Sequence, residues 1–558
     1  MLITNEQLKS LVLKNGLINE EDLSKIEEET KNSEYSLGEA LVEKDVISDE
    51  NLGILISDFL KYPFIVLAKT TIPPGVFNIV PEKMARKNKI IPFARDASGL
   101  KLAVADPSNK ELLEMISKKI GVPVTTFLAT EQDIANALKI YRKDLQKTFD
   151  QLIKNATGAA SVQEVPMSKI VDLLINFAYQ DKASDVHIEP EEKDSLVRFR
   201  IDGILHDVLF LPKNLHDQII TRIKILSRLR TDEHLSPQDG KMRIPLEEEE
   251  IDVRVSILPV TEGEKVVLRL LASKFRKFSL VDLGMSEKDL KKVKNAYGKS
   301  YGMILSTGPT GSGKTTSIYA ILKILNTREK NITTIEDPAE YRIKGVNQIN
   351  VNTKTNLTFA NGLRSILRQD PNIIFVGEIR DSETAGIAVN ASLTGHLVLS
   401  TLHTNDAATA LPRLIDMNVE PFLVASTVNV IIAQRLVRKI CEICKGTRNI
   451  TKEEFLSNLP AEVVGRYMGG KVSMNIYQGA GCKICHFTGY SGRIGVFEVL
   501  EITKSIRDLI TKRQDADIIL QKAVEEGMTT MLDDGMEKVI KGLTTIEEIL
   551  RVTKIQNK

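Results

Sequence analysis

The stretch GMILSTGPTGSGKTTSIYAIL, Gly302 to Leu322, decides how the rest of the chain is read. Its centre, Gly308–Thr315, satisfies GxxxxGK[ST]; the apolar run MILST precedes it and a helix-forming segment follows, which is the context that motif requires. Glycines let successive backbone N–H groups converge on phosphate oxygens, and the start of the following helix adds its positive end. The pattern therefore predicts ATP held by Gly308, Pro309, Thr310, Gly311, Ser312, Gly313, Lys314, Thr315 and Thr316, with Lys314 at the β/γ-phosphates and the Thr315 hydroxyl on Mg²⁺. A glycine-rich turn that merely matches would not need the strand, the lysine, the threonine and the helix together.

Three further segments, NITTIEDPAEY, NIIFVGEIRD and HLVLSTLHTND, are near-continuous apolar or β-branched runs separated by helical stretches. Such runs predict a parallel α/β sheet buried on both faces. Ligands bind beyond the carboxyl ends of strands in these sheets. Glu378, which follows Gly377 where many P-loop enzymes place an aspartate, is then positioned to polarise the attacking water, the alternative being a solvated charge or ion-pair partner. Without that aspartate, Mg²⁺ falls to Thr315, waters and an acidic cluster such as Glu336, Asp337 and Glu340. His396 and His403 flank the last strand and are candidates to sense the γ-phosphate, against the commoner structural role of a single histidine.

At 558 residues the chain exceeds one ordinary core and predicts three or four domains. Lys+Arg 75 against Asp+Glu 74 leaves a net charge of +1, so no bulk electrostatic case for nucleic acid or anionic membrane follows. The Met1 region has no basic cap before an apolar core, and no apolar run reaches the roughly 20 residues of a membrane span, so a cytosolic protein is expected.

Residues 1–142 form the first predicted module. QLKSLVLKNGLINEEDL (Gln7–Leu23) and SLGEALVEKDVISDENL (Ser36–Leu52) are a weak repeat of helical hairpins, followed from Tyr62 by a small α/β unit. A linker is expected over 143–166, where periodicity is lost. Alternating apolar and polar residues over 167–275 predict an antiparallel α+β domain, and 276–558 holds the P-loop core. All four cysteines fall in two CxxC pairs, Cys441/Cys444 and Cys482/Cys485. Two such pairs complete a tetrahedral Cys₄ shell for structural Zn²⁺; a redox dithiol is the alternative, though it needs only one pair.

The P-loop, the acidic TIEDPAEY box, the FVGEIRD strand and the two-histidine box resemble, in type and order, the secretion ATPase superfamily. ASDVHIEP, RFRIDG, SPQDGKM and DVRVS are similar to the domain preceding the motor core in the ATPases of type IV pilus assembly and type II secretion. The resemblance implies a RecA-like core behind a PAS-like α+β domain. It also implies a homo-hexameric cytoplasmic motor at the inner face of the membrane, acting on an inner-membrane platform protein. Lys314, Glu378, Glu336, Glu340, His396 and His403 take the family's catalytic positions, and Arg254 and Arg269 match arginines that approach the γ-phosphate. From the residues alone, each arginine reads equally as half of a surface ion pair. The N-terminal repeat is similar to a cyclic di-GMP-binding module but lacks both of its arginines, which argues against that ligand.

Pilus assembly is the first reading and type II secretion its close variant. A DNA translocase is the reading from another class, disfavoured by balanced charge and the lack of a basic aromatic stripe. A scaffold that binds ATP without turnover is disfavoured by intact Lys314, Thr315 and Glu378.

Overall fold

The computed structural model describes residues 3–31, 37–43, 46–47, 49–67, 70, 72–97, 99–138, 148–151, 167–246, 250–271 and 279–553. The expected linker at 143–166 lies, apart from 148–151, outside them. The chain divides into two compact units, one made of Met1–Leu138 with Phe278–Lys558 and the other of Lys139–Lys277.

The first unit begins with four helices, Asn5–Lys14, Glu20–Lys31, Leu37–Glu43 and Asp49–Leu60. Thr4 opens the first through a capping box with Gln7, so two otherwise unpaired backbone donors are satisfied. Leu8, Val12 and Leu23 of one hairpin share a core with Leu37, Leu41 and Leu52 of the other, which is why the apolar positions repeat. Strands β1 (Ile90–Asp96), β2 (Gly99–Val104) and β3 (Val124–Leu128) follow, with β1 antiparallel and β3 parallel to β2.

The second unit is one antiparallel sheet built from β4 (Asp185–Pro190), β5 (Asp194–Ile201), β6 (Ile204–Pro212), β7 (Gln238–Pro245), β8 (Glu250–Val260) and β9 (Gly263–Leu271). Their order is β6-β5-β4-β9-β8-β7. Every second residue of β8 is buried, from Ile251 through Val253 and Val255 to Ile257, as expected of a sheet with one covered face. Helices Met167–Gln180 and Lys213–Leu226 share that core.

The remainder of the first unit is a seven-stranded sheet. Its members are β10 (Gly302–Thr307), β11 (Ile332–Glu336), β12 (Asn347–Asn350), β13 (Ile373–Val376), β14 (Leu397–Leu402), β15 (Val428–Ile440) and β18 (Tyr490–Glu501). The hairpin β16 (Lys445–Thr451) with β17 (Ser473–Gly479) lies between the last two in sequence. The order is β12-β11-β13-β14-β10-β15-β18, and only β18 runs antiparallel to its neighbour. Successive side chains of β10 enter opposite cores: Met303 and Leu305 join one apolar cluster and Ile304 the other. Burial on both faces explains the uninterrupted apolar runs of β10, β13 and β14. Because these strands are parallel, their carboxyl ends lie along one edge, where β10 stands between β14 and β15.

Candidate active site

Gly308 leaves β10 and Lys314 begins the helix Lys314–Leu325, with Gly313 at its N-cap in the left-handed region (φ 89°). No side chain caps this helix, so its first N–H groups are left for a ligand. Pro309, Thr310 and Gly311 form the exposed tip of the loop, while Thr315 and Thr316 are half-buried in the first turn. Lys314 is buried, and its Nζ donates to the carbonyls of Gly308 (2.7 Å) and Pro309 (3.1 Å). Burial pushes its pKa down to about 8, against the pull of the Glu378 carboxylate in the same site.

Glu378 follows β13 directly. Gly377 precedes it where β11 passes closely: a Cβ there would stand 3.2 Å from the Ile335 carbonyl oxygen and 3.3 Å from Glu336 Cα, so the β11 backbone would have to give by a few tenths of an ångström. Arg380 Nη2 binds Glu378 Oε1 at 2.6 Å and His403 Nε2 lies 3.2 Å from Oε2, so both carboxylate oxygens are oriented. The hydrogen bond to Glu378 holds the Arg380 guanidinium above its ordinary pKa. The segment after His403 is tied to the strand entering the phosphate loop, since Thr404 N donates to Thr307 Oγ1 at 3.0 Å.

Glu336 occupies a different environment from Glu378. It is buried behind the phosphate-loop helix, its Oε1 accepting from Thr334 Oγ1 (2.6 Å) and Gln348 Nε2 (3.2 Å) and its Oε2 from the Tyr319 hydroxyl. Burial, then the Glu336 charge, pushes the Tyr319 phenol well above its ordinary pKa. The same hydroxyl accepts from the Glu340 backbone N–H at 3.3 Å, so Tyr319 joins the acidic box to the phosphate-loop helix. Glu336 thus anchors that box as a buried carboxylate held by neutral donors, while the half-buried acid that acts on Lys314 is Glu378, held by Arg380 and His403.

The two histidines separate. His403 follows the carboxyl end of β14, level with Thr307, but His396 precedes β14 and its carbonyl accepts from Gly302 N at the start of β10. One strand length of roughly 20 Å divides these two ends of the sheet. Of the two candidates for sensing the γ-phosphate, parallel strands bring His403 to the phosphate edge of its own subunit and carry His396 to the opposite one.

Arg254 of β8 and Arg269 of β9 are register partners, directly opposite each other. Arg269 Nε donates to Asp185 Oδ1 at 2.9 Å, and Asp185 also pairs with Arg200 at 3.5 Å. Like charges directly opposite are unfavourable in a sheet by themselves.

Cys441, at the end of β15, meets Cys444, Cys482 and Cys485, their four sulfurs all within 4.8 Å of one another. Sγ pairs 441–482, 444–485 and 482–485 are 3.9, 3.8 and 3.7 Å apart, too long for disulfides. Zinc with bonds of about 2.3 Å sets tetrahedral sulfurs about 3.8 Å apart, so the four residues fit that ion. Backbone N–H groups of Gly481, Cys482 and Gly489 point at the Cys444 and Cys485 sulfurs, a donor set suited to thiolates.

Sequence patterns did not single out Arg380, Tyr319, Thr404 or Gln434. Arg380, Tyr319 and Thr404 stood inside the quoted motifs and were local to them, whereas Gln434 meets the phosphate loop from β15, its Nε2 donating to the Ser312 carbonyl.

Together the sheet, the phosphate loop and the oriented Glu378 define a P-loop ATPase. A family model described as "Type II/IV secretion system protein" matches residues 160–551, and one described as "MshEN domain" matches 60–146, beyond the helical repeat at Gln7–Leu52. The chain is 37% identical to a type IV pilus assembly ATPase PilB of Myxococcus xanthus, over 98% of each chain. It is 41% identical to a type II secretion system protein E of Pectobacterium carotovorum, over 85% of this chain and 97% of that one. The X-ray structure of the ATPase DotB of Legionella pneumophila has the same fold at 20% identity, with a TM-score of 0.51 covering 68% of this chain and 94% of that one. The protein belongs to the type II/IV secretion system family and is an ATPase.

Proposed function

We propose that this ATPase is a hexameric motor that drives extension of a type IV pilus by acting on an inner-membrane platform protein. The supporting observation is the end-to-end match to a pilus assembly ATPase, which includes the N-terminal helices, whereas the secretion relative spans 85% of the chain. Type II secretion is the second reading, favoured by the higher identity of that shorter match. Among the described residues no helix is long and apolar enough to cross a membrane, so membrane attachment is assigned to the partner.

In this reading Lys314 and the loop N–H groups hold the phosphates. Thr315 would hold Mg²⁺, which neutralises phosphate charge when bound. Glu378, oriented by Arg380 and His403, takes the proton of the water that attacks the γ-phosphorus, and the bond to ADP breaks. Arg254 and Arg269 supply compensating charge during the cycle, Arg269 exchanging Asp185 for the phosphate. The four cysteines hold a structural zinc.

Steady-state phosphate release, measured with and without the platform protein's cytoplasmic part and with and without DNA, tests the motor reading. Stimulation by the platform fragment alone is expected; stimulation by DNA alone would move the chain among nucleic-acid translocases. Metal analysis of purified protein should find about one zinc per chain, lost in Cys482→Ser. A zinc-free, fully folded wild type would sink the metal assignment.

A further inference from the structure

Gln434, on β15, is 2% exposed and grips the phosphate loop from outside. Its Nε2 donates to the Ser312 carbonyl at 2.8 Å in a fully buried bond. The contact is close along its length. A side chain on Gly313 would lie 3.0 Å from Gln434 Nε2, and one on Gly308 would lie 2.5 Å from Ser312 Oγ and 2.6 Å from the backbone oxygen of β15 at position 434. Gly313 therefore serves the approach of the Gln434 amide as well as that of a nucleotide, and Gly308 serves the approach of the β15 backbone.

The Ser312 carbonyl shares one planar trans peptide with the Gly313 N–H, and in such a plane the two point in opposite directions. Fixing the carbonyl on Gln434 fixes the Gly313 N–H on the other side. A glycine at φ 89° has little intrinsic resistance to rotation of that plane, so the restraint must come from outside the loop. The value of a phosphate cradle lies in N–H groups aligned before the anion arrives.

We propose that Gln434 is a positioning residue for nucleotide binding, orienting the Ser312–Gly313 peptide so that the Gly313 N–H faces the phosphate common to ADP and ATP. This rests on reading the loop as the ATP site. A purely space-filling glutamine would be replaced without loss by methionine, which keeps the volume and drops the donor.

The test measures binding of fluorescently tagged ADP to full-length protein, alongside ATPase kinetics and melting without nucleotide. Gln434→Met should weaken ADP about tenfold and raise KM for ATP similarly, with kcat within about twofold and melting little changed. Gln434→Glu should bind ADP poorly at pH 8.5, where a carboxylate opposes the Ser312 carbonyl. It should approach wild type, compared at the same pH, near pH 6, where a buried protonated acid again donates. This second variant decides the matter if the first fails to fold. ADP affinity within twofold of wild type in Gln434→Met, or an equal loss at both pH values in Gln434→Glu, would overturn the proposal. Lys314→Ala separates the two levels: if it still binds ADP normally, the phosphate-site reading has failed, whereas if it alone loses ADP, only the role of Gln434 has.

Discussion

The two edges of the core sheet carry similar residues to opposite ends. At the carboxyl edge the phosphate loop, Glu378 and His403 converge, joined by Arg380, Thr307 and Thr404. At the amino edge His396 lies beside the end of the helix Ser382–Leu393, its Nδ1 donating to the Ala391 carbonyl at 3.0 Å. The backbone N–H groups of Thr394 and His396 and the Thr394 hydroxyl reach the same carbonyl, so the ring is one of several donors closing this helix C-terminus. The difference teaches that in a parallel sheet strand polarity assigns a residue's opportunity for chemistry, and neighbouring places in one motif do not.

The strongest expected effect lies at the carboxyl edge. Glu378→Gln should lower steady-state phosphate release by roughly 10²- to 10⁴-fold, because the amide cannot accept the water's proton. Binding of ATP, followed by fluorescent analogue titration, should survive. Turnover near wild type would remove Glu378 from the chemistry and with it the main distinction between the edges.

Much of that edge was legible because its parts are local. The phosphate loop needs only adjacent residues, and the apolar runs of β10, β13 and β14 report burial on both faces directly. The CxxC pairs were legible for the same reason: each is a tight turn, and two turns suffice to bring four sulfurs together. Strand order was not local. Glu336 and Glu378 both read as acids at strand ends, the first in a cluster for Mg²⁺ and the second for the attacking water, with nothing local to show which is buried. Only the packing of Tyr319, Thr334 and Gln348 around the first distinguishes an anchor from a half-buried carboxylate. Gln434 lies over a hundred residues from Ser312 and carried no motif, so its contact emerged only with the pairing of β15 to β10.

A second acid sharpens the comparison through stability. Glu498 of β18 stands opposite Ala433, is almost fully buried, and accepts from Ala407 N at 3.0 Å, so it holds the segment after His403. Burial raises its pKa from 4.5 to about 7. Between those values the folded chain keeps a proton that the unfolded chain has released, so stability falls as pH rises through the window. The full penalty, on the order of 3 kcal/mol, is present above about pH 7. Glu498→Gln keeps an acceptor for Ala407 N and removes the titration. Its urea midpoint should be flatter than that of wild type from pH 4.5 to 7 and higher at pH 8. Parallel profiles would mean that Glu498 is ionised in the fold without penalty.

The smallest effects test the edges against each other most directly. His403→Ala removes one of two groups orienting Glu378 and leaves Arg380 in place, so turnover should fall about tenfold, well short of the loss from Glu378 itself. His396→Ala removes a donor to one helix-end carbonyl, which the half-exposed position lets water replace. Its kcat should stay within about twofold of wild type, with a stability change below about 1 kcal/mol. Measured in the assembled protein at saturating ATP, the two variants should therefore differ by several-fold. Equal losses would mean that His396 reaches a phosphate edge after all, and since roughly 20 Å separates it from its own, that edge would have to belong to a neighbouring subunit.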